Sequence, residues 1–240
     1  MEEWLQRTEM LIGKEALDAL RASNVLVVGL GGVGSWSAEM LCRSGIGAIT
    51  IVDGDIINAS NRNRQLPALV SSQGKYKAEA MGERLLDINP DLKLTVVNEF
   101  IRDERMIEII DRGFDYVVDA IDTLSPKVYL IYHTISRNIP LISSMGSGGK
   151  INPELVRVSD ISETVNCPLA RMIRKRIHRM GIREGFKAVW SPEKPDKSKV
   201  VAVAGERNKA SVVGSVSYMP ALFGIACAAA VIRELVGGNN

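Results

Sequence analysis

The stretch NVLVVGLGGVG, residues 24–34, decides the fold of this chain. Its first half is a continuous apolar run, which is typical of a fully buried strand in a parallel sheet. Its second half has the spacing G-x-G-x-x-G at Gly29, Gly31 and Gly34, with Gly32 between them. This spacing predicts a tight turn and a helix N-terminus directly after the strand, where backbone N–H groups bind phosphate. The glycines alone do not identify the nucleotide.

A second apolar run, AITIVDGD at residues 48–55, ends in Asp53, 19 residues past Gly34. In dinucleotide-binding folds a carboxylate at the end of the second strand accepts hydrogen bonds from a ribose hydroxyl. Apolar runs then alternate with helical spacings through the first 150 residues. This alternation predicts an α/β fold, a doubly wound Rossmann-like and mostly parallel sheet that binds ligands at the carboxyl ends of its strands.

The alternation of apolar runs and helical spacings ends after GSGGK at residues 146–150. A basic amphipathic helix at 168–180, the strand-like run FKAVWS and a closing apolar helix at 218–236 predict a C-terminal α+β extension. We predict a single domain over residues 1–240. Its nucleotide-binding core is residues 1–150, and residues 151–240 form an extension for substrate and dimer contacts.

Composition argues against several classes of protein. A formal charge of +2 gives no overall attraction to nucleic acid or membrane. Cys42, Cys167 and Cys227 are far apart and form no C-x-x-C pair, which argues against a disulfide framework and a four-thiolate zinc site and favours a reducing cytoplasm. The longest apolar run, 219–232, has 14 residues, whereas about 20 span a bilayer. We therefore predict no membrane span.

Polar residues that suit a triphosphate follow Asp53 in the chain. Asn61, Arg64 and Gln65 come after the second strand, and Lys77 begins the next predicted helix. Attack at an α-phosphate requires the charge on its oxygens to be neutralised as pyrophosphate leaves, whereas a dehydrogenase gains little from extra cations here. Asp122 ends the strand-like run VVDAID and is placed to hold Mg²⁺. These residues favour ATP over a nicotinamide cofactor.

Several residues keep a second interpretation. Asp53 and Asp122 could be turn carboxylates at strand ends, and Arg64 and Lys77 could be ordinary solvated charges. Asn61 could serve only as a local turn residue. Lys75 lies within one turn of Lys77 and is its rival. Cys167 is either an ordinary helix-start residue or a thioester or persulfide cysteine. The segment 146–150 is either part of a pocket or only the exit turn from the sheet.

The motifs GLGGVG, IVDGD, SNRNRQ, GKYK and VVDAIDT occur in this order. In this order they resemble the adenylating enzymes related to ubiquitin-activating enzyme, the ThiF, MoeB and HesA superfamily. The resemblance implies a homodimer that uses ATP and Mg²⁺. It assigns residues to four roles: Asp53 to the ribose, Asn61, Arg64, Gln65 and Lys77 to the phosphates, Asp122 to Mg²⁺, and Arg7 to the nucleotide site of the neighbouring subunit.

Within that superfamily the chain is similar to the tRNA threonylcarbamoyladenosine dehydratase family from about residue 4 to 236. The matching blocks are RTEMLIG, GIGAITIVD, INPDLKLTVV, DAIDTLSPK, CPLARMIRKRI and GSVSYMPALFG. The resemblance implies adenylation of the threonyl carboxylate of a modified adenosine in tRNA. The ureido oxygen then closes a ring and AMP leaves, so no enzyme nucleophile is needed.

Two departures from the family patterns bear on this assignment. Trp4 and Leu5 stand where the family often has an Arg-Phe pair, so no role for that outer arginine carries over. The paired C-x-x-C zinc ligands that are common in the carrier-protein activators are missing, which favours the dehydratases over MoeB and ThiF.

The basic helix suits a tRNA substrate. Arg171, Arg174, Lys175 and Arg176 are predicted to contact tRNA phosphates, although a charged helix face is often only solvated. One rival function is adenylation of a ubiquitin-like sulfur carrier that ends in Gly-Gly, which would not need this helix. A nicotinamide dehydrogenase is a second rival, and a non-catalytic nucleotide-binding regulator is a third. Whether a sulfur-transfer partner protein docks stays open.

Overall fold

The structure is a computed structural model that describes residues 3–194, 200–202 and 211–237. Its main feature is a seven-stranded sheet with the order β3-β2-β1-β4-β5-β7-β6, parallel throughout except for β6, which pairs antiparallel with β7. The strands are β1 Asn24–Val28, β2 Ala48–Val52, β3 Lys93–Val97, β4 Tyr116–Asp119, β5 Leu141–Ser144, β6 Arg157–Asp160 and β7 Lys187–Trp190. The predicted α/β Rossmann-like fold is confirmed.

Helices cover both faces of the sheet. They are α1 Gln6–Ile12, α2 Lys14–Ala22, α3 Gly34–Arg43, α4 Lys77–Ile88, α5 Asp103–Ile110, α6 Leu124–Ile135, α7 Pro168–Arg179 and α8 Tyr218–Leu235. One apolar cluster joins α2, α3, α4 and α8 to one face of the sheet, and a second joins α5, α6 and α7 to the other. The basic helix α7 therefore lies in the same layer as α6.

The strand register brings three strand ends level with one another. Val28 at the end of β1 pairs with Val52 at the end of β2, and on its other side with Asp119 at the end of β4. The loops that follow β1, β2 and β4 consequently meet at one edge of the sheet. This edge is where an open parallel sheet binds its ligands.

Three local features differ from the sequence-based expectation. The helical spacing of Leu11, Leu17 and Leu20 predicts one N-terminal helix over about 8–22, but Gly13, whose φ of 86° is incompatible with a continuous helix, separates α1 from α2. β6 was not predicted, because its short, half-exposed sequence carries little apolar signal. A further pair, β8 Val200–Ala202 and β9 Ser211–Val213, forms a separate two-stranded sheet. The polar, proline-bearing sequence at about 192–209 predicts a mobile segment, but most of its residues lie outside the described part.

Helix α8 has 18 residues and is, by length and composition alone, apolar enough to cross a membrane. It is longer than the apolar run seen in the sequence. Met219, Phe223, Cys227 and Val231 are each completely buried and recur at helical spacing. They belong to the apolar cluster that contains α3. The packing is that of a core helix.

The contact between α3 and α8 depends on Gly224. A Cβ atom at Gly224 would lie 2.3 Å from the carbonyl oxygen of Val33 and 2.8 Å from Cβ of Trp36. Because the nearer atom is backbone, no side-chain rotation can relieve the clash. The two helices therefore approach more closely than any other residue at position 224 would permit.

Gly224→Ala is expected to destabilise the fold by about 1–3 kcal/mol, the usual cost of overpacking a core. This cost outweighs the ~1 kcal/mol that alanine gains over glycine inside a helix. Urea denaturation measures the change. Gly214→Ala is the control, since its Cβ would meet no atom of the described residues within 4 Å. Equal stability of the two variants would contradict the close helix contact.

Candidate active site

The turn after β1 has no room for side chains. A Cβ at Gly34 would lie 1.7 Å from the carbonyl oxygen of Gly29. One at Gly29, whose φ is 90°, would lie 2.8 Å from the carbonyl oxygen of Ala120. The turn is thus folded tightly on itself and against the loop after β4. Backbone N–H groups at the start of α3 are left to face the sheet edge, which suits a phosphate.

The carboxylate of Asp53 lies beside this turn. Its Oδ2 accepts a hydrogen bond of 2.6 Å from the N–H of Leu30, and its Oδ1 accepts one of 2.8 Å from the N–H of Asp55. Burial raises the pKa of Asp53, and the nearby charge of Lys77 acts in the opposite direction. Both oxygens keep a lone pair free of these bonds, so a ribose hydroxyl can donate to them.

Of the two neighbouring lysines, Lys77 is the one at this carboxylate. It is the first residue of α4, it is buried, and its Nζ lies 2.7 Å from Oδ2 of Asp55. Lys75 is exposed and pairs instead with Glu83 at 2.9 Å. A buried ammonium that pairs with Asp55 and acts electrostatically on Asp53, both just after β2, is positioned to meet a phosphate. Lys75 instead forms its ion pair with a residue of α4.

Residues 58–66 form a loop that contacts the glycine turn. Oδ1 of Asn61 accepts a hydrogen bond of 3.0 Å from the N–H of Asn58, and the Asn58 side chain caps the same turn in return. Asn61 therefore shapes the loop, which is the turn role that the sequence left open. Leu66 links this loop to the glycine turn, because its N–H donates to Oγ of Ser35 at 3.4 Å, and that hydroxyl donates to the carbonyl of Gly31 at 2.7 Å.

The stem of Arg64 and the amide of Gln65 lie against the glycine turn, while NH1 of Arg64 donates to the carbonyl of Ser60 at 3.0 Å and to Oδ1 of Asn63 at 2.8 Å. Cγ of Arg64 lies 3.3 Å, and Nε2 of Gln65 3.9 Å, from the positions that Cβ atoms would take at Gly32 and Gly31. Gln65 is buried, and within the described residues its Oε1 has no hydrogen-bond partner. An unsatisfied buried oxygen costs about 1–3 kcal/mol. An amide with unused hydrogen-bonding capacity beside a glycine cradle fits a bound nucleotide.

The fourth component is the loop between β4 and α6, which carries the exposed carboxylate of Asp122. This loop touches the glycine turn at Ala120 and Ile121, next to Gly29. Within the described chain no group of three or more His, Cys, Asp or Glu residues could hold a metal ion. Asp122 therefore fits a Mg²⁺ ion that takes its other ligands from nucleotide phosphates and water, and does not fit an ion held by protein alone.

A buried ion pair underlies this loop, and the sequence analysis missed it. Nζ of Lys127 lies 2.8 Å from Oδ2 of Asp119, and both side chains are completely inaccessible to solvent. Lys127 also donates to the carbonyl of Ile121 at 3.0 Å. Asp119 accepts from Oγ of Ser143 at 2.6 Å and from the N–H of Ile121 at 3.1 Å. The pair thereby fixes the backbone that leads to Asp122.

One signal in the sequence could have revealed this pair. Lys127 occupies the same face of α6 as Ile131 and Thr134, at spacings of four and seven, and both are buried. A lysine on the apolar face of a helix needs a buried counter-ion. Asp119, at the end of a wholly buried strand, was the available acid.

Arg7 stands apart from these residues. It is exposed on α1, two residues past Leu5, which packs against Gly45 just beyond the C-terminal end of α3. The ten residues of α3 separate Gly45 from the glycine turn by about 15 Å. Arg7 is therefore not brought to the nucleotide turn of its own chain.

Two cations of α7 hydrogen-bond to other parts of the chain, and two others are only exposed. NH1 of Arg174 donates to the carbonyl of Thr164 at 2.7 Å and contacts Oγ1 of the same residue, so this half-buried arginine fastens α7 to the preceding turn. NH1 of Arg176 donates to Oγ of Ser125 at 2.9 Å. Arg171 and Lys175 are exposed. The predicted tRNA-binding set thus contains one arginine, Arg174, that the fold itself uses.

The segment after β5 is tied to the segment after β7. Lys150 is buried and donates to the carbonyls of Ser191 at 3.0 Å and Glu193 at 2.7 Å. Burial lowers the pKa of Lys150, while Cys167 and Glu193 oppose that change. Cys167 lies 4.0 Å from the position of a Cβ at Gly146. Lys150 thus ties the segment 146–150, which follows the carboxyl end of β5, to the chain after β7, and Cys167 is a buried free thiol beside Gly146.

Comparison with known proteins agrees with this geometry. The family model described as ThiF family matches residues 5–240, so the chain belongs to the ThiF family. A Bacillus subtilis (strain 168) protein named tRNA threonylcarbamoyladenosine dehydratase is 38% identical over 237 residues, covering 96% of this chain and 93% of that protein. The Escherichia coli (strain K12) protein of the same name is 42% identical over 179 residues, 73% of this chain and 67% of that protein.

A solved structure is similar over almost the full length. The E. coli tRNA N6-threonylcarbamoyladenosine dehydratase TcdA in complex with ATP matches with a TM-score of 0.89 and 34% identity, covering 99% of this chain and 96% of that one. Within the ThiF family, the chain belongs with the tRNA threonylcarbamoyladenosine dehydratases.

Lys127→Met is expected to lower the free energy of unfolding by about 3–5 kcal/mol, because it leaves a buried carboxylate without its counter-ion. Urea denaturation at pH 7 measures the loss. The double variant Asp119→Asn, Lys127→Met removes both charges and should be more stable than Lys127→Met alone. A double variant less stable than the single one would contradict the ion-pair account.

Proposed function

We propose that this protein uses ATP to cyclise the threonylcarbamoyl side chain of a modified adenosine in tRNA, with loss of water. The observation that carries the proposal is the convergence of the glycine turn, Asp53, Arg64, Lys77 and the Asp122 loop at one sheet edge. It is supported by full-length likeness to named dehydratases, one of them solved with ATP bound.

The reaction balances in two steps. The threonyl carboxylate attacks the α-phosphorus of ATP, pyrophosphate leaves, and an acyl adenylate forms. The ureido oxygen then attacks the acyl carbon, AMP leaves, and a ureido proton is lost as the ring closes. The attacking atom belongs to the substrate, so proximity supplies much of the rate. The enzyme contributes positioning and charge stabilisation.

Each candidate residue receives a role in these steps. Asp53 orients the nucleotide through its ribose, and backbone N–H groups of the glycine turn bind phosphate oxygens. Arg64 and Lys77 neutralise charge as pyrophosphate leaves, with Gln65 bonding to the phosphates and Asn61 shaping their loop. Mg²⁺, held by Asp122 together with the phosphates, would supply further charge neutralisation.

The same proposal covers the oligomeric state of the protein, its partners and its place in the cell. We assign Arg7 to the nucleotide site of a second copy of the chain in a homodimer, because α1 holds it away from the site of its own chain. Residues 1–150 would then bind nucleotide, and residues 151–240 would serve substrate and dimer contacts. A sulfur-transfer protein is a further candidate partner. We place the reaction in the cytoplasm, where tRNA and ATP occur together and the three free thiols would stay reduced.

The direct test is to incubate the protein with ATP, Mg²⁺ and tRNA that carries threonylcarbamoyladenosine, then digest the RNA and weigh its nucleosides. The modified adenosine is expected to lose one water, and only when ATP is present. An unchanged mass, together with ATP-dependent adenylation of a carrier protein ending in Gly-Gly, would instead establish the rival function.

Arg64→Ala is expected to reduce turnover by about 100- to 1,000-fold, the usual effect of removing one preorganised charge-stabilising group. The rate of AMP release in the presence of modified tRNA measures it. Arg62→Ala is the matched control, since Arg62 lies in the same loop and is exposed. Near-normal turnover of the Arg64 variant would refute its role.

A further inference from the structure

Helix α7 presents a row of cations without neighbouring acids. Its twelve residues include five lysines or arginines and no aspartate or glutamate. Ala170, Ile173 and Ile177 are completely buried against the sheet side. Arg171, Lys175 and Arg179 lie on the exposed side, where spacings of four residues align them in one stripe.

These three side chains form no ion pair with any of the described residues. Exposed cations elsewhere often have one, as in Lys14 with Asp18 at 2.7 Å and Arg105 with Glu99 at 2.8 Å. Unpaired charges in a row repel one another. A polyanion that tracks along the helix would relieve that repulsion and release its own counter-ions.

Arg176 joins this stripe to the candidate active site. Its NH1 donates to Oγ of Ser125, the second residue of α6 and the third after Asp122. Arg176 is exposed, and a guanidinium carries five N–H donors, so most of its donors are available to a ligand. The positive surface of α7 therefore reaches the loop that carries Asp122.

An aromatic side chain lies one helical turn farther along α6. Tyr129 follows Ser125 by four residues and is 52% exposed. Its ring stacks on His133, with centroids 6.4 Å apart and planes inclined by 22°. Unpaired RNA bases stack on such exposed rings, whereas paired bases cannot.

We propose that the exposed faces of α6 and α7 form the docking surface for a single-stranded RNA loop. Arg171, Lys175 and Arg179 contact its phosphates, and Arg176 holds a phosphate next to the reacting nucleotide. Tyr129 stacks on an unpaired base. The inference rests on the proposed function, because it takes tRNA as the substrate. A loop suits the surface because the reacting adenosine must leave its stack to reach the sheet edge.

The phosphate contacts are tested with a fluorescently labelled anticodon stem–loop at several KCl concentrations. The triple variant Arg171→Glu, Lys175→Glu, Arg179→Glu should weaken binding by at least ten-fold. The slope of log K against log [KCl] should become shallower by about two, because each single-strand phosphate contact contributes ~0.7 to that slope. The matched control, Lys93→Glu, Arg102→Glu, Arg112→Glu, makes the same charge change at exposed positions outside α6 and α7. Equal effects of the two triple variants would overturn the proposal.

Single substitutions test the other two contacts. Tyr129→Ala should weaken stem–loop binding by about ten-fold through lost stacking, while Tyr129→Phe should retain it. Arg176→Ala should raise the KM for tRNA and leave ATP affinity unchanged. Unaltered RNA affinity in Tyr129→Ala, or an unchanged KM in Arg176→Ala, would remove that residue from the surface.

Two further measurements distinguish failure of the docking surface from failure of the proposed function. ATP affinity is measured for every variant by calorimetry, and nucleoside masses are measured for the unmodified protein. If the unmodified protein cyclises the nucleoside but the α7 variant binds and converts tRNA normally, the docking surface is wrong and the function stands. If the unmodified protein neither binds nor converts tRNA, both fail.

Discussion

The whole site depends on how closely the backbone approaches itself at the turn after β1. Gly34 lies against the carbonyl of Gly29, and Gly29 lies against the loop after β4, with no space for a Cβ at either contact. This contact makes the loops after β1 and β4 into one unit. The N-terminus of α3 and Asp122 thereby lie at the same edge of the sheet. The level ends of β1, β2 and β4 then add Asp53 to that edge.

Electrostatics at this edge follow from what is buried and what is not. Asp53 and Lys77 sit close together in a partly desolvated place, and each limits the cost of burying the other. The Asp119–Lys127 pair is fully buried, and its role is to fix the backbone of the loop after β4. Asp122 is exposed and Arg64 is half-buried, with its NH1 donating to Ser60 and Asn63. The fully buried charges thus hold backbone in place, and the more accessible charges lie at the surface of the same edge.

Much of this could be predicted from sequence because it is local. The strand–turn–helix of residues 24–34 and the apolar strands are set by spacing and side-chain type alone. The antiparallel edge strand β6 could not be predicted, because its place depends on pairing with β7 more than twenty residues later. The roles of Asn61 and Arg174 also needed the structure. Each side chain is of a type that binds ligands. In the structure, however, each stabilises a turn through hydrogen bonds that no spacing rule specifies.

The packing of α8 on the glycine turn has a consequence for how the chain matures during synthesis. A Cβ at Gly32 would lie 2.9 Å from Cβ of Pro220, and Gly224 meets the carbonyl of Val33. A helix near the end of this sequence therefore supports a turn made near its beginning. The glycine turn is therefore not fully packed until α8 has been made. Before that point the first strands can pair, but the turn lacks the helix that packs on it.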